Sequence, residues 1–320
     1  MTIKIGFIGL GTMGLPMANC LIKKGFKLKV YDTSSVAMEK IDHDGVTLVN
    51  SPKEAAKDAN FCITMLPESS NVRDAVLGKN GLVENMNKGS MLIEMSTILP
   101  SATMSIYEHL KSKKIKMIDA PVGRTPTDAV NGKLLVIAGG DKNDIQIAKP
   151  ILKSMSDEII HVGPITSGIM MKLVNNYMSM VGMVMTAETI LFANKVGINQ
   201  DLAVKVLQGT AAGKGQINVN FPKKVLSGDL SPDFPMKMGL KDISLALELG
   251  DDKGLSLNLG RISKEYFALA SKFNRQNQDC TAMLHLIEDI SNAGKKCGIV
   301  FNPDTPVSYT HLTLPTKRIV

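Results

Sequence analysis

Gly9, Gly11 and Gly14 constrain the start of this chain more than any other feature, because of what surrounds them. Residues 3–8, Ile3-Lys4-Ile5-Gly6-Phe7-Ile8, form a short apolar run rich in β-branched side chains, as in a strand buried on both faces. Gly9 permits a sharp turn, Gly11 lets the backbone approach a pyrophosphate, and Gly14 lets the next helix pack against the strand. Thr12 and Met13 complete the turn, and the helix N-terminus offers unpaired N–H groups to phosphate oxygens. The spacing predicts that helix over residues 12–24, ending at Gly25, and a second strand over residues 27–31. Asp32 follows, where a carboxylate accepts hydrogen bonds from ribose hydroxyls and repels a 2′-phosphate. Thr33, Ser34 and Ser35 bring no arginine to neutralise such a phosphate, so the unit reads as a clamp for NAD rather than NADP.

The remaining composition narrows the class. With 320 residues the chain is long enough for two domains, and 44% hydrophobic with 21% charged residues describes an ordinary globular protein. A net charge of +7 would suit nucleic acid or an anionic substrate. The lysines, however, are dispersed and aromatics amount to 4%, so no stacking platform for bases is visible. No signal peptide is seen ahead of the first strand and no apolar run reads as a bilayer span, so the expected location is the cytoplasm. Cys20, Cys62, Cys280 and Cys297 form no C-x-x-C pair and are expected as reduced thiols. The five histidines are scattered, with no metal-ligand spacing.

Strands and helices alternate as far as residue 162, which predicts an α/β fold with a parallel sheet. Strands are expected at residues 46–49, 60–66, 90–95, 115–120, 134–138 and 159–162, with a helix from about residue 101. Leu66 and Pro67 end one strand and are placed to line the nicotinamide side of a crevice at the strand ends. From Gly168 the pattern is helical, beginning with a methionine-rich stretch over residues 169–194 read as a buried helix joining two domains. Met178, Met180, Met183 and Met185 are expected in its core. Further helices are expected at 201–207, 222–226, 236–251, 263–273 and 282–293. The domains divide as 1–164 and 165–297, followed by a tail, 298–320. Residues 308–320 resemble translated sequencing-adapter read-through.

Lys172, Asn175 and Asn176 share one face of the long helix. A lysine in an apolar helix start can give a proton to a carbonyl oxygen while a nicotinamide gives hydride to the carbon. It can equally snorkel to solvent while the asparagines cap neighbouring backbone, and the residues alone leave these readings level.

Taken together, Gly9-Leu10-Gly11-x-Met13-Gly14-x-Pro16-Met17-Ala18, Asp119-Ala120-Pro121-Val122, Gly139-Gly140 and Gly168-x-x-x-Lys172-Leu173-Val174-Asn175-Asn176 resemble the β-hydroxyacid dehydrogenase family over residues 1–297. The resemblance implies an N-terminal Rossmann domain and a C-terminal all-α domain, joined by the long helix. It further implies Lys172 as the catalytic lysine, Asn175 and Asn176 as substrate-binding residues, and Leu66, Thr97 and Lys241 beside the cofactor. A homo-oligomer, tetramer or dimer, is also expected.

One departure from the family pattern stands out. Where most members have Ser-Gly-Gly after Pro-Val, this chain has Gly123-Arg124-Thr125. Arg124 brings a planar, permanently charged fork that can bind a tetrahedral oxyanion. Residues 121–125, 175–179, 209–215 and 224–232 resemble the branch of the family that reduces 3-sulfolactaldehyde with NADH in sulfoquinovose breakdown. That resemblance implies Arg124 and the segment from Asn175 to Ser179 at the sulfonate end, with Lys172 protonating the new alkoxide. The rivals are another short acid semialdehyde, succinic, tartronic or methylmalonic, and a non-catalytic oligomeric scaffold.

Overall fold

A computed structural model describes residues 3–41 and 45–296; His43, Cys297 and the tail lie outside the described residues. Among the described residues nine strands form one sheet: β1 (Lys4–Ile8), β2 (Lys27–Tyr31), β3 (Val46–Leu48), β4 (Phe61–Thr64), β5 (Met91–Glu94), β6 (Lys116–Asp119), β7 (Val122–Gly123), β8 (Leu134–Gly139) and β9 (Ser156–Gly163). Their order is β3-β2-β1-β4-β5-β6-β8-β7, with β9 on β8. The first six are all parallel. Strand β8 runs antiparallel to β6 and β7 and parallel to β9. The chain therefore reverses its direction of winding at the β1–β4 junction, where open parallel sheets bind ligands.

Continuous apolar runs become strands because both sheet faces are covered. Ile5, Phe7, Ile63 and Ile93 point into one core with Met17 and Leu21 of the first helix, α1 (Gly14–Lys23). Their neighbours Ile8, Cys62 and Leu92 point into the other, with Ile106 and Leu110 of the helix Pro100–Ser112. Alternation along each strand thus feeds two layers of helices. Helices Ser69–Leu77 and Lys142–Leu152, absent from the sequence reading, complete them.

Past β9 the chain is helical, opening with the helix Ser167–Lys195. By its internal contacts the chain divides into compact units at Met180 and Val181, inside this helix. In the second unit the helices Met236–Asp252, Asn258–Leu269 and Met283–Lys296 contribute to a small core of Met236, Ala270, Ala282 and Leu286. The helix expected at 263–273 therefore begins earlier, and the one expected at 222–226 is split into the short turns Asn220–Lys223 and Val225–Ser227. The methionines need a larger correction. Met178 and Met183 are 55% and 63% exposed, and Met180 and Met185 are exposed as well. Only Gly168 and Ile169 of the long helix are buried. Apolarity alone cannot tell the core of one chain from the face between two. No helix among the described residues is long and apolar enough to cross a membrane. Cys20, Cys62 and Cys280 are free.

Candidate active site

The glycine turn is built as a cradle. Gly9 adopts φ +98°, and a Cβ there would lie 2.3 Å from the Met65 carbonyl oxygen; one on Gly14 would lie 1.9 Å from that of Gly9. Side chains are excluded at both positions, so β1, β4 and α1 converge closely. Beside Gly11 the space is open, with no heavy atom within 4 Å of a built Cβ. Met13 gives α1 no side-chain cap, so no side chain covers the positive end of the helix, where an anion is favoured. Asp32 stands next to this turn: its Oδ2 accepts the Leu10 N–H at 2.6 Å and its Oδ1 the Ser34 N–H at 2.8 Å. Each oxygen keeps acceptor capacity for a ribose hydroxyl. These residues fit a dinucleotide, pyrophosphate over Gly11 and α1, ribose at Asp32.

Two further turns leave the same edge of the sheet. Leu66 and Pro67 follow β4, and Ser96 and Thr97 follow β5. Leu66 is half-buried, Pro67 and Thr97 are exposed. The Leu66 N–H donates to Ser96 Oγ at 2.9 Å, tying one turn to the other.

The long helix is locked to the sheet at its first turn. Asp119, buried at the end of β6, accepts the Thr166 N–H on Oδ1 and the Ile169 N–H on Oδ2, both at 2.8 Å. A carboxylate there satisfies orphan donors and meets the positive end of the helix dipole. A Cβ on Gly168 would lie 2.5 Å from the Ile137 carbonyl oxygen, and one on Gly139 would lie 2.6 Å from Asp119 Oδ1. Glycine at both places lets helix and sheet backbones touch. Lys172 comes one turn later, half-buried, and this burial pulls its ammonium below the usual lysine value. Asn175 donates from Nδ2 to Asn176 Oδ1 at 3.2 Å, with Ser179 exposed one turn beyond. The structure thus brings Lys172, Asn175, Asn176 and Ser179 onto successive turns of one helix anchored at the strand ends.

Arg124 already has partners in the chain: its guanidinium pairs with Asp157 Oδ1 at 2.5 Å and Glu158 Oε2 at 3.2 Å, and also bonds the Lys133 carbonyl. The reason is tertiary, since β9 lies beside β8 at this edge and presents two carboxylates. Its backbone sits at φ +76°, a region that favours glycine. Thr125 is also engaged, its hydroxyl donating to Asp128 Oδ2 at 2.6 Å within a capping box that starts the helix Pro126–Val130. Gly123 is buried in β7. Lys241 belongs to the second unit, where it pairs with Asp242 at 2.8 Å. Among the described residues no group of three or more His, Cys, Asp or Glu could hold a metal ion.

Comparison with known proteins gives the chain's relatives. Residues 4–163 match the NAD binding domain of 6-phosphogluconate dehydrogenase, and residues 166–287 match the NAD-binding model of NADP-dependent 3-hydroxyisobutyrate dehydrogenase. The chain is 41% identical to the 3-sulfolactaldehyde reductase of Escherichia coli over 283 residues, covering 88% of this chain and 95% of that protein. The Mycobacterium tuberculosis 3-hydroxyisobutyrate dehydrogenase solved with L-serine is 26% identical, with a TM-score of 0.62 over 90% of this chain and 99% of that one. An imine reductase variant from Myxococcus stipitatus in complex with NAD+ shares the fold, at 14% identity and a TM-score of 0.80 over 90% and 100% of the two chains.

Proposed function

Because the chain belongs to the β-hydroxyacid dehydrogenase family and is an NAD-dependent oxidoreductase, we propose that it reduces 3-sulfolactaldehyde to 2,3-dihydroxypropane-1-sulfonate in cytoplasmic sulfoquinovose breakdown. The observation that carries the substrate is the 41% identity spread over 95% of the Escherichia coli reductase.

NADH, when bound, supplies the hydride. Gly9, Gly11, Thr12, Met13 and Gly14 would hold its pyrophosphate, Asp32 its ribose, and Leu66, Pro67 and Thr97 its remaining length. Lys172 gives its Nζ proton to the carbonyl oxygen as the alkoxide forms. Partial burial favours that transfer, because it brings the ammonium closer to working pH. Asn175, Asn176 and Ser179 orient the substrate with Gly123 and Thr125. Arg124 releases Asp157 and Glu158 and takes the sulfonate. Those carboxylates are about half exposed, and exposed ion pairs are worth about 0–1 kcal/mol each, so the exchange costs little.

The enzyme works as a homo-oligomer joined through the long helix. Met170, Val174, Tyr177, Met180 and Val184 form an apolar stripe, and Met171, Met178 and Met185 a second one, all exposed in the single chain. A helix apolar on several faces belongs in a core, and a second copy of the chain supplies that cover.

Catalytic efficiencies with NADH decide the substrate. Sulfolactaldehyde should exceed succinic, tartronic and methylmalonic semialdehydes, and a better semialdehyde overturns the sulfonate reading. Lys172→Ala should lower turnover by at least about a hundredfold with NADH binding retained. Arg124→Ala should raise the KM for sulfolactaldehyde about tenfold or more and leave that for NADH alone. An unchanged sulfolactaldehyde KM means that Arg124 stays on its two carboxylates.

A further inference from the structure

Glu94 is the last residue of β5, fully buried, and plays no part in the chemistry above. Its register partners are Thr64 on β4 and Asp119 on β6, so three polar side chains stand in a row across the ends of neighbouring strands. Glu94 Oε1 accepts the Ser96 N–H at 2.8 Å and the Thr64 hydroxyl at 3.3 Å. Ser96 in turn accepts the Leu66 N–H. One oxygen therefore gathers both turns that leave β4 and β5 on the ligand-binding edge of the sheet. The other oxygen, Oε2, is buried without a hydrogen-bond partner.

A bare oxygen on a buried carboxylate is costly when charged, and a second carboxyl stands beside it: Asp119, which burial pushes up and whose two helix N–H donors pull it back down. We propose that Glu94 is a positioning residue for the bound dinucleotide: as an uncharged carboxylic acid it holds the Leu66-Pro67 and Ser96-Thr97 turns at one spacing through Thr64 and Ser96. Burial foremost, with a contribution from Asp119, pushes its carboxyl up to about 8. The groups that face it are Asp119 from β6, Thr64 from β4 and Ser96 of its own turn; of these only the Asp119 carboxyl titrates. Ionisation places an anion beside the Asp119 carboxyl and disturbs both turns.

The role concerns the cofactor and is independent of which aldehyde is reduced, so the test uses NADH alone. The chain contains no tryptophan, so the emission of bound NADH is read without tryptophan background. NADH is titrated into the wild type, Glu94→Gln and Glu94→Ala at pH 7 and pH 9. At pH 7 the glutamine variant, which keeps an uncharged acceptor, should bind within about twofold of wild type, while the alanine variant binds about tenfold more weakly. From pH 7 to 9 the wild-type Kd should rise and that of Glu94→Gln stay level. The proposal is overturned if Glu94→Ala binds like wild type, if Glu94→Gln is as weak as Glu94→Ala at pH 7, or if wild type and Glu94→Gln share one pH profile. The near-isosteric glutamine variant keeps the test decisive should the alanine variant fail to fold.

Discussion

Arg124 has a backbone suited to one residue and a side chain suited to another. Its φ of +76° favours glycine, where the family pattern also has glycine, and an L-residue there costs roughly 1 kcal/mol. Exposed pairs to Asp157 and Glu158 return about as much. Arg124→Gly should therefore leave the thermal midpoint within about 2–3 °C of wild type while raising the KM for sulfolactaldehyde, as calorimetry beside steady-state kinetics will read. A clear fall in the midpoint would mean that the arginine is kept for stability. Glu94 gives a second prediction, in the absence of any ligand. Its carboxyl moves from an ordinary 4.5 to about 8 on folding, so between those values the folded chain holds a proton that the unfolded chain has lost. Stability should fall as pH rises through that window and level off above it. Glu94→Gln lacks this titration, so its thermal midpoint should decline less between pH 5 and 8. Parallel declines would show that Glu94 is not the group responsible. The sharp turn at Gly9 and the close approach at Gly14 were legible in the sequence because they follow from local backbone geometry. Glu94 was not, because Thr64 and Asp119 reach it only from the two neighbouring strands; an acid closing an otherwise apolar strand was the signal available.

At the scale of elements, the joint between β6 and the long helix decides where Lys172 stands. The motifs Asp119-Ala120-Pro121-Val122, Gly139-Gly140 and Gly168-x-x-x-Lys172 lie far apart in sequence, yet they meet in one contact: carboxylate on helix N-terminus, with glycines on both sides. Gly168→Ala drives a Cβ to 2.5 Å from the Ile137 carbonyl oxygen, which cannot yield without moving the strand. It should lower the thermal midpoint and reduce turnover more than it raises the KM for NADH, since the helix shifts and the glycine turn after β1 does not. Equal effects on both constants would place the damage in the whole sheet. Strand positions were read to within a few residues, as expected of buried runs with sharp boundaries. Helices Ser69–Leu77 and Lys142–Leu152 escaped because short amphipathic helices mix polar and apolar residues with little contrast.

For the whole molecule, the exposed long helix carries the clearest consequence. Met180→Lys with Val184→Lys places two charges on one apolar stripe, where both residues are more than half exposed in the single chain. Light scattering on the size-exclusion peak should show an oligomer for wild type and smaller species for the double variant, because buried unpaired ammonium groups cannot be accommodated in such a contact. An unchanged mass would remove the helix from the interface. By itself the sequence determined the dinucleotide cradle, the α/β order of the first half and the family, since each depends on residues close together in the chain or on an ordered set of motifs. Only the tertiary structure decided that Arg124 rests on Asp157 and Glu158, that Asp119 caps the helix of Lys172, and that Met178, Met180, Met183 and Met185 are exposed in the single chain. These depend on which strands lie side by side and on what a single chain has enough surface to cover.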